Sequence, residues 1–227
     1  MTDTLILIPC YNGSQTIVAL VQQIKQTYPN QAILVIDDGS QDDTHIICQS
    51  HQIPFIRQDL NQGKGAAIYL GMQYAQMHNY SWVITMDADG QHAPHFIALF
   101  LEEIQKRNAS IIIGKRNFDF KKMPFFRSLS NRITTAMMSW LCSQDVYDSQ
   151  CGYRAYSLEL FSKNLIPQTG RFQWESEVIF LASQNQYRIS SIPISTLYFD
   201  DHSSHINHVQ DTIRFLKLYR KMWRLRV

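Results

Sequence analysis

Short apolar runs that stop at polar loops, each followed by a segment of helical period, constrain this chain more than any other feature. Leu5–Ile8 closes at Pro9-Cys10-Tyr11-Asn12-Gly13, and in Thr16–Tyr28 the residues Ile17, Leu20, Val21 and Ile24 recur at helical spacing. Ala32–Ile36 ends at Asp37-Asp38-Gly39-Ser40, after which Asp42-Asp43-Thr44 opens a helix through Cys48. Ile53–Ile56 is a third run, Asn61–Ala67 leads into a helix reaching about His78, and Val83–Met86 is a fourth run. Strands alternating with helices imply a mostly parallel sheet with crossover helices, an α/β fold. The carboxyl ends of parallel strands share one edge, which is where open α/β sheets bind ligands.

Beyond residue 93 the pattern continues with less regularity. Pro94–Lys106 reads as a helix and Ser110–Ile113 as a strand ending at Gly114-Lys115-Arg116-Asn117. Phe118–Arg127 mixes aromatic and basic residues without a period and reads as a candidate mobile loop. Ser128–Cys142 is a helix, Asp148–Arg154 a polar cluster before a short strand, and Phe172–Gln184 a helix with Glu175 and Glu177 near its start. Ile189–Tyr198 supplies one or two further strands. No internal repeat or low-complexity linker interrupts the 227 residues, which suits one sizeable core.

The fourth run delivers the most distinctive chemistry, Asp87-Ala88-Asp89-Gly90-Gln91-His92. Residues two apart on an extended segment point the same way, so Asp87 and Asp89 can converge on one hard cation, with Gln91 adding a neutral oxygen. Mg2+ or Mn2+ suits such ligands and is typically shared with substrate phosphates. An acidic turn accounts for the same residues, and a lone DxD does not decide between the two. Asp37 and Asp38 suit hydrogen bonds from a base or ribose, or equally a helix cap made with Ser40. Gly63-Lys64-Gly65 before a helix suits a phosphate, but its spacing is neither a Walker A loop nor GxGxxG, which argues against a P-loop nucleotidase and a dinucleotide enzyme. Arg116 and Arg127 suit a diphosphate clamp or are solvated loop cations. His92 and His95 lack an HExxH or cysteine-rich context and read as core or surface histidines rather than zinc ligands. Trp140, Trp174 and Trp223 read as core or interface packing.

Charge and cysteines narrow the setting. Thr212–Val227 carries six basic and no acidic residues, leaving fifteen basic against nineteen acidic elsewhere. That distribution indicates a localised anionic partner and no nucleic-acid affinity. Phe215, Leu218, Met222 and Leu225 recur at helical spacing, as do Arg214, Lys217, Lys221 and Arg224, so residues 207–227 are expected to form a basic amphipathic helix after a catalytic domain spanning 1–206. Such a helix either lies on an anionic membrane surface or packs on the sheet or a second subunit. Four scattered cysteines without a CxxC pair, no signal peptide and no membrane-spanning window lead us to expect a cytoplasmic protein.

IPCYNG, VIDDGSQDDT, NQGKGAA, MDADGQH, IGKRN, DSQCGYRAY and RFQWESEV, in this order, resemble glycosyltransferase family 2. The resemblance is strongest to its polyprenyl-phosphate (dolichyl-phosphate) sugar transferase branch and runs from about Leu5 to Ala182. It implies a nucleotide-diphospho-sugar transferase (GT-A, Rossmann-like) fold, an inverting mechanism, Mg2+ or Mn2+, a nucleotide-sugar donor and a lipid-phosphate acceptor. Carried over by position, Pro9 and Tyr11 border the base, Asp37 and Asp38 hold the base or ribose, and Lys64 lies beside the nucleotide. Asp87, Asp89 and Gln91 form the metal and diphosphate site, with Asp89 and Gln91 as the direct ligands. Arg116 and Arg127 meet phosphates, Asp148, Gln150 and Arg154 line the sugar and acceptor side, and Glu177 takes the acidic position of the last motif, with Glu175 its competitor. Gly90 and Ala93 depart from the branch's common DADLQHPP. Asp148 is the expected base if the acceptor is a sugar hydroxyl in polysaccharide or glycolipid synthesis; a non-catalytic nucleotide-sugar binding module is the remaining alternative. A lipid-phosphate acceptor favours a peripheral position on the cytoplasmic face of a membrane, and a homo-oligomer is compatible with the sequence.

Overall fold

A computed structural model describes residues 3–116, 125–162, 167, 173–195 and 208–225. Its centre is a seven-stranded sheet: β1 (Thr4–Cys10), β2 (Ala32–Asp37), β3 (Phe55–Arg57), β4 (Trp82–Thr85), β5 (Ile111–Arg116), β6 (Arg154–Ser157) and β7 (Ile189–Ile194), in the order β3-β2-β1-β4-β6-β5-β7. The connecting helices are α1 (Ile17–Thr27), α2 (Thr44–Ser50), α3 (Lys64–Met77), α4 (Ile97–Gln105), α5 (Phe125–Cys142), α6 (Glu159–Ser162), α7 (Gln173–Gln184) and α8 (His208–Leu225).

β1 is buried at all seven positions because helices cover both faces of its part of the sheet, so it carries a continuous apolar run instead of an alternation. α1 turns Ile17, Leu20, Val21 and Ile24 inward, the stripe its spacing predicted. α3 packs against β1 at Gly71, where an added Cβ would collide with Leu7. All four cysteines are buried and none is in a disulfide, in keeping with their role as small apolar residues.

β1, β2, β3 and β4 run parallel, so the loops after β1, β2 and β4 share one edge as expected. β6 is the departure. It pairs antiparallel with both β4 and β5, with Thr85 opposite Arg154 and Ile113 opposite Arg154. The reversal matters for the site, because it is the loop before β6, not the loop after it, that reaches the carboxyl edge of β4. Alternation of apolar runs reveals a strand but not its direction, and RAYS is too short to carry further signal.

α5 begins at Phe125, within the stretch expected as a loop, while 117–124 lies outside the described residues. The helix predicted over Pro94–Lys106 divides into a 3-10 turn at Pro94–Phe96 and α4. At the far end, α8 packs against α7 with Leu218, Tyr219 and Met222 buried and Phe215 against the core. Its apolar face is therefore covered by protein, and Leu225, expected on that face, is exposed. Among the described residues no helix is long and apolar enough to cross a membrane.

Candidate functional site

The edge loops are stitched to one another before any ligand is considered. Asn12 N–H donates to Ser40 Oγ (2.9 Å), Gly13 N–H to Thr44 Oγ1 (2.9 Å) and Ser14 N–H to Asp42 Oδ2 (3.1 Å), tying the β1 loop to the β2 loop. Asp37 is fully buried, with Oδ1 accepting from Ser40 N–H (2.9 Å) and Oδ2 lying 3.6 Å from Arg57 Nε. Asp38 accepts from the backbone N–H groups of Gln62 and Gly63, at 2.8 Å each, and so holds the entry to α3. Gly63 has φ +98°, the left-handed region a glycine enters without Cβ cost. Both carboxylates are thus engaged in building the pocket wall, yet each oxygen has further lone-pair capacity for a ligand. Pro9 is buried in β1, and Tyr11 is half-buried just beyond it.

Fixing α3 in this way places Lys64, its first residue, at the centre of the edge. Lys64 Nζ lies 2.6 Å from Asp87 Oδ1 and 3.2 Å from Glu175 Oε1 of α7. Burial disfavours the charged ammonium, but attraction to Asp87 and then Glu175 outweighs it, and the Lys64 pKa lies above its ordinary value. Burial also pushes the Asp87 carboxyl up, but Lys64 and then His92 draw it below the usual carboxylate range. Asp89 goes the other way: burial, then the negative charge of Asp87, raises its pKa. Gly152 lies directly against this cluster. A Cβ there would collide with the Asp87 carboxylate and lie 2.5 Å from Lys64 Nζ, so only glycine fits this position without displacing the ion pair.

Asp87 and Asp89 both lie beyond the end of β4 and do not meet by strand alternation. β4 ends at Thr85, Asp87 follows in irregular chain, and Asp89 sits in a turn closed by its own Oδ1 accepting from Gln91 N–H (2.9 Å). Gln91 is half-buried beside it, and His92 is buried with its ring 5.1 Å from that of Tyr153. Among the described residues no three His, Cys, Asp or Glu side chains form a metal cage. The donor set Asp87, Asp89 and Gln91 is all oxygen, and the negative charge of Asp87, which adds to burial in raising the Asp89 pKa, is one a hard cation would relieve. These residues fit a divalent ion that completes its shell with substrate oxygens.

The loop before β6 supplies the opposite wall. Asp148, fully buried, receives Arg116 through two bonds, Nε to Oδ2 at 2.7 Å and Nη2 to Oδ1 at 2.9 Å, and Arg116 N–H also reaches Oδ2 at 3.3 Å. The guanidinium at the end of β5 is thereby fixed close enough to Asp87 to lower its pKa. Gln150 is exposed, donating Nε2–H to Thr134 Oγ1 at 3.2 Å. Arg154 lies fully buried, with Nε donating to Cys151 O (2.6 Å), Nη1 to Glu175 O (2.9 Å) and Nη2 to Ser149 O (2.8 Å). It joins the loop before β6 to α7 from beneath the pocket floor.

Most of the residues singled out in the sequence meet here. Glu175, the competitor, reaches the cluster, whereas Glu177 points to α8, where Lys221 Nζ lies 3.8 Å from its Oε1. The side chain of Arg127 lies outside the described residues. Of the tryptophans, Trp174 is in the core, while Trp140 and Trp223 are 54% and 63% exposed. Gly152 was missed because one glycine in CGYR has no distinguishing spacing.

Residues 5–165 match the family described as Glycosyl transferase family 2. The chain is 30% identical over 223 residues to a UDP-N-acetylglucosamine--dolichyl-phosphate N-acetylglucosaminyltransferase of Methanococcus voltae, covering 87% of this chain and 88% of that one. It is 26% identical over 204 residues to the polyprenol monophosphomannose synthase of Mycolicibacterium smegmatis, covering 85% and 76%. Among solved structures, glucosyl-3-phosphoglycerate synthase of Mycobacterium tuberculosis in complex with Mn2+, uridine diphosphate and phosphoglyceric acid superposes with a TM-score of 0.74 at 15% identity, covering 98% of this chain and 78% of that one. At that identity the likeness is one of fold.

Proposed function

The chain belongs to glycosyltransferase family 2 and is a glycosyltransferase with the family's GT-A fold, and on that premise we propose that it moves a sugar from a nucleotide-diphospho-sugar to a polyprenyl phosphate, with inversion and with a divalent metal. The observation that carries the reading is the convergence at one sheet edge of the Asp87–Gln91 oxygens, Lys64 and an Arg116 held rigid by Asp148. Lys64 and Arg116 would offer positive charge to a leaving nucleoside diphosphate, and the Asp87–Gln91 oxygens would hold the cation that adds to it. That both named relatives act with polyprenyl-type lipids supports the acceptor class.

The reaction breaks the bond between the anomeric carbon and the donor diphosphate and forms one between that carbon and an acceptor phosphate oxygen. Tyr11 borders the base, while Asp38 and Asp37 hold the loops against which base and ribose rest. Arg116 and Lys64 stabilise the negative charge that grows on the departing diphosphate, prepositioned so that little reorganisation is needed. Mg2+ or Mn2+, held by Asp89 and Gln91 with Asp87 beside them, would act as a Lewis acid and template for that leaving group. An acceptor phosphate is already an anion, so attack from the opposite face needs no strong general base. Asp148, with both oxygens on Arg116, orients that guanidinium, and Arg154 is a positioning residue for the loop carrying Asp148 and Gly152. Gln150 flanks the acceptor side, while Glu177 is turned to Lys221 of α8. An enzyme handling such a lipid works at a membrane surface as a peripheral protein.

Transfer of labelled sugar from a panel of nucleotide sugars to polyprenyl phosphate tests this. The expected product is organic-soluble, labile to mild acid and lost with chelator or with Asp89→Asn. An acid-stable glycoside would instead support attack by a sugar hydroxyl, and donor binding without turnover on any acceptor would support a binding module.

A further inference from the structure

The covering of α8's apolar face removes the simplest way for this helix to enter a membrane, and attention turns to what α5 and α8 leave outside. On α5 the exposed residues include Ile133 (52%), Met137 (39%) and Trp140 (54%), spaced so that they share one face, with Ala136 exposed between them and Arg132 beside Ile133. The inner side of the same helix does different work: Thr134 receives Gln150, and Thr135 hydrogen-bonds Ser149. One helix thickness, about 10 Å, therefore separates the exposed apolar stripe from the wall on which the lipid phosphate is to be received.

α8 supplies charge to the same flank. Its buried Tyr219 lies near Ser176, Ser149 and Cys142, the last residue of α5. Outside, Lys217, Arg220, Lys221 and Arg224 surround a shallow groove of about 380 Å³ with Leu225, and Trp223 is exposed on the same helix. No acidic residue follows Asp211 in the chain.

We infer that the outer faces of α5 and α8 together form a docking surface for an anionic lipid bilayer, α5 inserting Ile133, Met137 and Trp140 at the headgroup boundary and α8 holding headgroup phosphates in its basic groove. Charge decides for a bilayer over a second copy of the chain, because a two-fold contact through this face would set the four α8 cations against their own counterparts. Tryptophan and apolar residues beside lysine and arginine are what an interfacial surface requires. The inference rests on the lipid acceptor proposed above and adds how the pocket is brought to it.

Co-sedimentation with phosphatidylcholine vesicles, with and without phosphatidylglycerol, tests it. The intact protein is expected to pellet with the anionic vesicles and to be released by salt. Arg220→Gln and Arg224→Gln should each weaken binding about fivefold. Met137→Asp and Trp140→Asp should weaken it about tenfold or more, since each removes inserted apolar area. Equal sedimentation of all variants, or no sedimentation of the intact protein, overturns the inference. A dimer in solution that Trp140→Asp dissociates, without vesicle binding, would overturn it in favour of a second copy. Transfer to a short, water-soluble polyprenyl phosphate separates the two claims. The surface variants should match the intact protein on that acceptor and lag it only on full-length acceptor in vesicles. No transfer by the intact protein to either acceptor would count against the proposed reaction and leave the vesicle result to decide docking.

Discussion

Lys64 bridges two acidic side chains from different elements, Asp87 after β4 and Glu175 of α7, and so links the donor edge to the back of the pocket. Lys64→Met is expected to strand both carboxylates, Glu175 buried and Asp87 partly exposed. Removing one partner of a buried ion pair costs about 3–5 kcal/mol, so chemical denaturation should show a loss of that order together with loss of transfer. Gly152→Ala is a sharper probe, since the added methyl strikes the Asp87 carboxylate without removing any polar group. Its expected result is a fall in kcat/KM of tenfold or more, with a thermal midpoint much closer to the parent's than that of Lys64→Met. Between the two acids of α7, Glu175→Gln should impair transfer and Glu177→Gln should do so far less; the reverse order would return the role to Glu177. Asp87, Asp89, Gln91 and Lys64 were singled out in the sequence as polar residues after an apolar run and a lysine after glycine, and the structure brings Asp87 and Lys64 into contact. Gly152 and the preference for Glu175 were not legible there, because both depend on which atoms of distant segments touch.

At the scale of elements, the site exists because β6 runs against its neighbours. With Thr85 opposite Arg154, the residues before β6 fall at the end of β4, and Thr85 Oγ1 bonds Gly152 O at 2.9 Å to hold them there. Arg154 then fastens this loop to α7 through three backbone carbonyls. Arg154→Met leaves those buried acceptors unpaired at about 1–3 kcal/mol each, so a loss of several kcal/mol in unfolding free energy is expected. Arg154→Lys should recover only part of it, since an ammonium cannot match the planar fork. The parallel half, β1 to β4 with α1 to α3, was readable from apolar period alone. The antiparallel strand was not, since pairing direction is set by where the chain returns after α5. Amphipathicity of α8 was likewise readable, but the face it buries was settled by α7, which covers Leu218 and Met222.

For the molecule as a whole, we propose that the loops after β1, β2 and β4, the end of β5 and the loop before β6 make a single metal-dependent nucleotide-sugar site at one sheet edge, with the α5 and α8 flank beside its acceptor wall. The measurement that tests this most directly is thermal stabilisation by nucleoside diphosphates and their sugars, with Mn2+, Mg2+ or chelator, on the parent and on Asp89→Asn. A ligand bound only by the folded chain adds about 2.7 kcal/mol of stability at a hundredfold excess over its Kd. The expected result is a rise in the midpoint with one base that chelator removes and Asp89→Asn lacks. A rise of equal size in the presence of chelator and in Asp89→Asn, or none with any nucleotide, would contradict it.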